Sequence, residues 1–508
     1  MDPEKTTPGI LRPDAERQEQ IEGEGIFADT DKHKQDVAAG SVTNVDDFAS
    51  DIVVDPIIEK RILRRLDASL APLFCVLYFL SYLDRSNIGN AAVAGLSDQL
   101  ELSGPQLSTS ISVFYATYVS LIVPIVLAVR WLKTNRAVSV MLLSWSLVTI
   151  GTAFVRHYHS LIVCRLILGI CEAGLFPCIS LYITSIYNPR EQGLRNAYLF
   201  GAASLSGMFG GLVATGITKI SSAGTLRGWS WLYIIEGLVS ICVVPWAYFG
   251  LPEFPAKSKR WTAEELETLE RRELKRQEYM GNYEFDWSQV WSTFKDWRLY
   301  TGCAIQFFQD IILYGFTSFL PSIIKGGLGY DSLQAQYLGV PVYFLGGVAL
   351  FSAALAGDRW GLRGTIIFVC DAFAVAGYII LLAVESPGVR YFACYLVAIA
   401  LFCGPGLNET WIVNNTAPHY RRATALGMCQ TLGNIAGVVA PQVYRQAPYR
   451  LGHWFSLGSV IMCMILIAIQ IVYFRSENRR KEEMVRGERP DDRNDKSGEH
   501  NLNFRYVY

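Results

Sequence analysis

The sequence predicts an all-α membrane protein with twelve transmembrane helices arranged in two six-helix halves. Of the 508 residues, 51% are hydrophobic and only 18% are charged, and the mean hydropathy is +0.24. The apolar residues are concentrated in runs of about 20, the length that a helix needs to cross a hydrocarbon core of about 30 Å. A single soluble core of this length does not use so many apolar residues. The net charge of −1 gives no indication of nucleic-acid binding.

Twelve apolar runs have the length of a membrane span, six before a long polar stretch and six after it. They cover 67–95, 111–130, 137–156, 160–183, 197–220, 230–250, 299–321, 335–357, 364–384, 389–413, 423–444 and 453–474. The sequence therefore predicts an acidic, mostly disordered N-terminal tail at 1–66, helical bundles at 67–250 and 299–475, a connecting loop at 251–298 and a charged C-terminal tail at 476–508.

The connecting loop contains the sequence RWTAEELETLERRELKRQ. Thr262 and Glu265 match the S/T-x-x-E capping box that begins a helix. We expect a short surface helix here, with its charged side chains solvated.

The orientation follows from lysine and arginine. These residues are more frequent in one alternate set of connections, which includes Arg195, Arg359 and Arg421, than in the other set. The positive-inside rule then places both termini in the cytoplasm.

The sequence shows no motif for catalysis or for a cofactor. All eleven cysteines fall inside apolar runs and none forms a metal-binding pair, so neither a metal site nor a disulfide framework is predicted. No nucleophile motif or phosphate-binding loop occurs, which argues against an enzyme.

Asp84 and Arg85 are adjacent charges within the first apolar run. Charged residues are common where a helix leaves the membrane. However, residues 68–83 alone are too few to cross the membrane, and the apolar sequence AAVAGL follows the two charges. A charge inside a membrane needs a partner or an aqueous cavity. The pair is therefore predicted to line a central cavity. For the neighbouring Asn87 and Asn90, substrate contact and helix packing are equally compatible with the sequence.

The fourth and seventh spans supply further polar side chains. Arg165 and Glu172 are seven residues apart, and Gln306 and Asp310 four apart, so each pair shares a helix face. Asp310 suits either a substrate group that is cationic or carries a hydroxyl, or a structural hydrogen bond, and Tyr314 follows one turn later. Structural roles are expected for Glu236 and Asp371, and helix-to-helix hydrogen bonds for Asn414, Asn415 and Asn434.

The two halves repeat one pattern at matching places. REQGLRNA precedes Gly207-x-x-x-Gly211 in the first half, and YRRATALG precedes Gly433-x-x-x-Gly437 in the second. Internal repeats are typical of secondary transporters, and glycines at this spacing allow helices to approach closely.

Several motifs resemble a known family. ALAGDRWGLR (354–363) is similar to the G-x-x-x-D-R-x-G-R-R loop of the major facilitator superfamily, although the matching loop of the first half, LAVRWLKTNR, lacks the aspartate and the glycines. LDRSNIGNA (83–91) resembles the first-helix signature of the anion:cation symporters. Stretches such as GICEAGLFP (169–177), WIVNN (411–415) and LGNIAGVVAPQVY (432–444) resemble the fungal allantoate permease family.

The resemblance implies a function and residue roles. Such proteins carry small organic anions, such as allantoate, nicotinate, pantothenate or biotin, usually with protons. By the match, Arg85 and Arg165 would contact the anion, and Asp84 and Glu172 would take part in proton coupling. We therefore expect a monomeric, multi-pass importer of an organic anion in the plasma membrane, with Asn87, Gln306, Asp310 and Tyr314 as further binding residues. Two alternatives are a proton-driven exporter of a fungal secondary metabolite and a membrane sensor that binds the anion without moving it.

Overall fold

The structure is a computed structural model that describes residues 55–129, 133–187, 189–218, 226–251, 261–280, 287–417, 419–490, 502 and 504–508. Within these ranges the regular structure is helical throughout. The helices are α1 (Pro56–Ala91), α2 (Gly104–Val129), α3 (Thr134–Thr152), α4 (Tyr158–Glu172), α5 (Leu175–Ile186), α6 (Pro189–Thr218), α7 (Gly228–Gly250), α8 (Ala263–Met280), α9 (Trp287–Phe294), α10 (Trp297–Ser322), α11 (Ser332–Trp360), α12 (Arg363–Ala383), α13 (Pro387–Asn414), α14 (His419–Asn434), α15 (Ala436–Val443) and α16 (Arg450–Val485).

Within the described residues, every predicted span overlaps one helix or two consecutive helices, and the first span continues beyond α1 as a π-helical turn, Ala92–Leu96. The fourth span is divided into α4 and α5, and the eleventh into α14 and α15. Among the described residues, nine helical segments are long and apolar enough to cross a membrane. The all-helical membrane fold is thus confirmed, and the full count of twelve spans stays a prediction.

The first helix begins at Pro56, before the predicted first span at 67–95. Asp55 caps α1 by accepting a hydrogen bond from the Ile57 amide at 2.8 Å, and Pro56 occupies the first turn. Ile58, Ile62 and Leu66 then recur every four residues on one buried face. This amphipathic turn extends the helix beyond the purely apolar run. The rest of the predicted tail, 1–54, lies outside the described residues.

The helix α8 in the connecting loop begins at the predicted capping box. The Thr262 amide donates to Glu265 Oε2 at 3.1 Å, and the Glu265 amide donates to Thr262 Oγ1 at 3.3 Å. The expectation of solvated charges is wrong for part of the helix, because the buried Arg272 forms ion pairs with Glu59 of α1 and Glu191 of α6. Acidic side chains on two neighbouring helices therefore hold α8 against the first half.

The two halves, α1–α7 and α10–α16, meet closely at the predicted small-residue pairs. A methyl group at Gly211 of α6 would lie 2.8 Å from the Gln336 carbonyl oxygen of α11, and one at Gly207 would lie 2.8 Å from the Tyr343 ring. In the second half, a methyl group at Gly437 would lie 2.3 Å from the Tyr115 ring of α2. The prediction that these glycines permit close approach is confirmed.

We call the side of the molecule where α1 begins and α16 ends the termini side, and the other side the far side. On the far side, hydrogen bonds join α2 of the first half to α15 of the second. Ser112 donates to the Val438 carbonyl at 2.9 Å, and Gln442 donates to Ser112 at 2.8 Å. Tyr115, one turn deeper in α2, lines the cavity described below.

A Gly211→Ala substitution tests the contact between α6 and α11. We expect it to lower the free energy of unfolding by about 1–3 kcal/mol, the usual cost of overpacking, because the obstructing atom is a backbone oxygen. The control is Gly216→Ala on the same helix, where a methyl group would meet nothing within 4 Å. Thermal unfolding of the two purified variants measures the difference, and equal stability would contradict the proposed close contact.

Candidate functional site

A cavity between the two halves consists of two chambers, of which the smaller is the more polar. The larger chamber includes Ser86, Tyr115, Thr317 and Tyr343 in its lining. The smaller chamber is lined by Tyr78, Tyr82, Arg85, Tyr118, Phe176, Phe200, Gln306, Asp310, Leu313, Tyr314, Glu409, Gln430 and Asn434. Tyr82, Arg85 and Tyr314 line both chambers, so these side chains mark where the two meet.

Arg85 faces this cavity and is paired to a carboxylate behind it. Its Nε donates to Glu172 Oε2 at 2.8 Å, and the same oxygen accepts from Ser81 at 3.0 Å. The exposed fractions of the Arg85 and Glu172 side chains are 7% and 0%. Arg85 belongs to α1, and Glu172 is the last residue of α4. Burial in a poorly hydrated site strengthens the attraction between them.

Aromatic rings surround the Arg85 guanidinium. Its central carbon lies 4.6 Å from the ring centroid of Tyr118, 5.3 Å from that of Tyr82 and 5.4 Å from that of Phe114. These cation–π contacts fix the position of the charge and keep water away from it. The arrangement favours binding of an anion that enters the cavity.

The second half contributes the predicted residues of α10. Gln306, Asp310 and Tyr314 line the smaller chamber together. Gln306 Nε2 donates to Asp310 Oδ1 at 3.2 Å, and the Tyr314 hydroxyl donates to Asn434 Oδ1 at 2.5 Å. Asn434 is therefore both a helix-to-helix contact, as predicted, and part of the cavity wall.

Glu409 of α13 is a cavity residue that the sequence reasoning missed. Its exposed fraction is 1%, it accepts a hydrogen bond from Gln430, and its Oε2 has no hydrogen-bond partner among the described residues. Glu409 could have been predicted, because it is an acidic residue inside an apolar run, as Asp84 is. Among the described residues that line the chambers, Arg85 is the basic side chain, and Asp310 and Glu409 are the acidic ones.

Four predicted residues, Asp84, Asn87, Arg165 and Glu172, lie in a layer behind the cavity and do not line it. Arg165 donates to the Tyr233 hydroxyl at 3.0 Å, and Asn87 donates to Glu236. Asp84 is buried near Arg165 and Glu172. The structure thus brings Arg85, Gln306, Asp310 and Tyr314 together at the cavity, with Glu172 directly behind Arg85, and it separates Asp84, Asn87 and Arg165 from them.

Buried charge around Arg85 and behind the cavity is unbalanced. Asp84, Glu172 and Glu236 are buried carboxyl groups there, whereas Arg85 and Arg165 supply two buried guanidiniums. The third buried guanidinium of the first half, Arg195, forms an ion pair with Asp67 of α1. An isolated buried negative charge is costly, so this layer is suited to hold a proton. As for metals, the described part of the chain contains no group of three or more histidine, cysteine or acidic side chains placed to bind one.

A helical membrane fold whose two halves enclose a cavity lined by buried charged side chains is typical of secondary transporters. Comparison with known proteins agrees. The profile of the Major Facilitator Superfamily matches residues 74–441. A bacterial homologue of the human lysosomal transporter Spinster, in an inward-facing, unoccupied conformation, shares the fold with a TM-score of 0.61 at 14% identity, over 80% of this chain and 96% of that one.

Three fungal relatives are more similar in sequence. An uncharacterized transporter of Schizosaccharomyces pombe is 50% identical over 457 residues, covering 90% of this chain and 95% of the relative. The high-affinity nicotinic acid transporter of Saccharomyces cerevisiae is 36% identical over 459 residues, covering 89% and 85%. An MFS-type transporter of Penicillium expansum is 31% identical over 440 residues, covering 83% and 85%. The chain belongs to the Major Facilitator Superfamily and is a multi-pass membrane transporter.

Proposed function

We propose that this transporter imports a small organic anion together with protons by alternating access. The observation that carries the proposal is the placement of Arg85, which lines both chambers while its Nε is bound to the buried Glu172. The importer is taken to lie in the plasma membrane as a monomer, with the termini side in the cytoplasm, as the asymmetry of lysine and arginine predicts.

Competition for Arg85 provides the coupling. When the cavity is empty, the Glu172 carboxylate neutralises the guanidinium. When a substrate carboxylate binds Arg85, two negative charges meet at one cation inside the membrane, so a proton on Glu172 becomes favourable. Anion binding and protonation then promote each other to the same extent, as thermodynamic linkage requires.

The lining of the smaller chamber suits a small acid that also carries a nitrogen. Arg85 binds the anionic group, and Glu409 with Asp310 exchanges hydrogen bonds with a basic or N–H group. The Tyr115 and Tyr314 rings, with centroids 4.5 Å apart, offer flat apolar surface beside Arg85. Nicotinate has this combination of groups, and one relative is a nicotinic acid transporter. We therefore propose nicotinate or a chemically similar acid as the substrate.

Uptake into reconstituted vesicles tests the function. We expect labelled nicotinate, or another carboxylate from a panel with allantoate, pantothenate and biotin, to accumulate when the medium is more acidic than the lumen, and a protonophore to abolish accumulation. Nicotinamide, which lacks the carboxylate, should not compete. Vesicles whose lumen is more acidic than the medium serve as the comparison. A proton-coupled importer should not accumulate the carboxylate in them, whereas a proton-driven exporter should. Binding without movement of any carboxylate would support a sensor and overturn the proposal.

Replacing Glu409 with leucine tests the proposed contact between Glu409 and the nitrogen of the substrate. We expect Glu409→Leu to weaken nicotinate binding roughly tenfold, by the loss of about one hydrogen bond to a charged or polar group, while benzoate binding changes little. The ratio of the two affinities within one protein cancels losses that arise from folding. Glu236→Leu is the control, because Glu236 is equally buried but does not line the chambers. An unchanged ratio in Glu409→Leu would remove this residue from substrate recognition.

A further inference from the structure

The last described residues of the chain, Phe504–Tyr508, return to the bundle and lie against the termini-side ends of α10, α13 and α16. We call these five residues the docked segment. The side chains that hold it form a groove of Arg298, Trp411, Asn415, Phe474, Asn478 and Lys481. The predicted charged tail at 476–508 is therefore partly structured, since α16 itself continues to Val485.

Two asparagines bind the backbone of the docked segment in the same way. Asn478 donates to the Tyr506 carbonyl and accepts from the Tyr506 amide, both at 2.8 Å. Asn415 donates to the Val507 carbonyl at 2.9 Å and accepts from the Val507 amide at 2.8 Å. A side-chain amide has one donor edge and one acceptor edge, so each asparagine satisfies both polar groups of one residue, as a neighbouring strand would.

The groove also recognises a side chain. The Tyr506 ring stacks on Phe474, with centroids 4.9 Å apart and an interplanar angle of 7°. Arg298 donates to the Tyr506 hydroxyl at 2.7 Å, and the Lys481 ammonium lies 4.5 Å from the ring centroid. A tyrosine fits these contacts through its flat ring, its hydroxyl and its affinity for cations.

Asp296 connects Arg298 of the groove to Arg421 in the first turn of α14. Asp296 accepts hydrogen bonds from Arg298 and from Arg421, at 2.6 and 2.8 Å. Burial opposes the charge of Asp296, but the hydrogen bonds and charges of these two arginines prevail and lower its pKa. Arg298 is thus held in the orientation that meets Tyr506.

The docked segment is fastened to the helix that carries Glu409. Trp411 Nε1 donates to the Val507 carbonyl at 2.7 Å, and Asn415 follows the last residue of α13. Both residues lie within two turns of Glu409, which lines the cavity. Movement of this end of α13 relative to α10 and α16 requires the contacts of the docked segment to break.

We propose that the groove is an intramolecular peptide-binding site, and that the docked segment restrains the end of α13 and slows the conformational change of the transporter. The site recognises a short extended segment with a tyrosine followed by an aliphatic residue. The proposal rests on the contacts above and on the transporter class, and it holds whichever substrate is carried.

Hydrogen exchange of the full chain tests the docking. We expect the amides of Tyr506 and Val507 to be protected, and Asn478→Ala to accelerate their exchange by roughly two- to tenfold for each hydrogen bond lost. The control is Asn135→Ala, which removes an asparagine that donates to the Tyr248 carbonyl, outside the groove. Unprotected amides in the parent protein, or an unchanged rate in Asn478→Ala, would overturn the docking.

A second pair of measurements tests the restraint. In Tyr506→Ala we expect faster exchange at 411–415 and faster nicotinate counterflow than in the parent protein, and a synthetic peptide of residues 502–508 should reverse both effects. If the amides at 504–508 lose protection while 411–415 and counterflow stay unchanged, the restraint is wrong. If neither parent nor variant shows counterflow of any carboxylate in the panel, the proposed substrate class fails, and exchange at 411–415, with and without the peptide, decides the restraint.

Discussion

Arg85→Lys is expected to weaken nicotinate binding about tenfold to a hundredfold. Lysine keeps the positive charge but replaces the planar fork of donors by a single ammonium, so a bidentate contact with a carboxylate is lost. One hydrogen bond to a charged group contributes roughly 1.5–3 kcal/mol, which corresponds to this loss of affinity. The substitution also removes the Nε donor that holds Glu172. Equilibrium binding to the purified variant, with surface expression measured in parallel, provides the value.

Arg165→Lys is the matched control for this result. Arg165 is as deeply buried as Arg85 but contacts Tyr233 and does not line either chamber. We expect a smaller change in affinity and a larger loss of stability, because lysine lacks the geometry of the buried hydrogen bond. Parent-like affinity in Arg85→Lys together with weakened binding in Arg165→Lys would exchange the roles of the two arginines.

The fold was predictable because membrane crossing imposes a length on each apolar run. The predicted span at 364–384 and the helix α12 agree closely, and no side-chain cap extends that helix at its N-terminus. The start of α1 was not predictable from hydropathy, because its first turns are amphipathic and are stabilised by contacts with α8 and by the cap at Asp55. Hydropathy detects burial in lipid, whereas these turns are buried against protein.

The sequence predicts which site residues share a face of one helix, but not which residues of different helices meet. Spacing placed Gln306 and Asp310 on one face, and the structure brings both to the cavity. Spacing does not give the rotation of one helix relative to another, so it did not show that Glu172 pairs with Arg85 of α1. Adjacent residues point about 100° apart on a helix, which is why Arg85 faces the cavity while its neighbour Asp84 does not. The docked segment had no local signal, because Asn415 and Val507 are 92 residues apart.

Glu172→Gln is expected to abolish accumulation driven by a pH gradient while leaving exchange of substrate intact. The carboxylate lies at the end of α4, accepts from Arg85 and Ser81 through one oxygen, and is fully buried. An amide of the same shape retains an oxygen for Ser81 and Arg85 but carries no negative charge, so it imitates the protonated state. The loaded transporter can then change conformation. Counterflow, which requires only the loaded form to cross, should therefore continue.

Net uptake has a different requirement, because in the proposed cycle the empty transporter must return after it has released its proton. We propose that deprotonated Glu172 neutralises Arg85 during that return. In Glu172→Gln the guanidinium would remain uncompensated inside the membrane, which is costly. Counterflow and pH-driven accumulation are measured in the same vesicles, with Glu236→Gln as the control, since Glu236 contacts Asn87 behind the cavity. Accumulation by Glu172→Gln equal to that of the parent protein would show that Glu172 does not carry the coupled proton. The buried Asp84 and the cavity residue Asp310 would then be the carboxyl groups to substitute next.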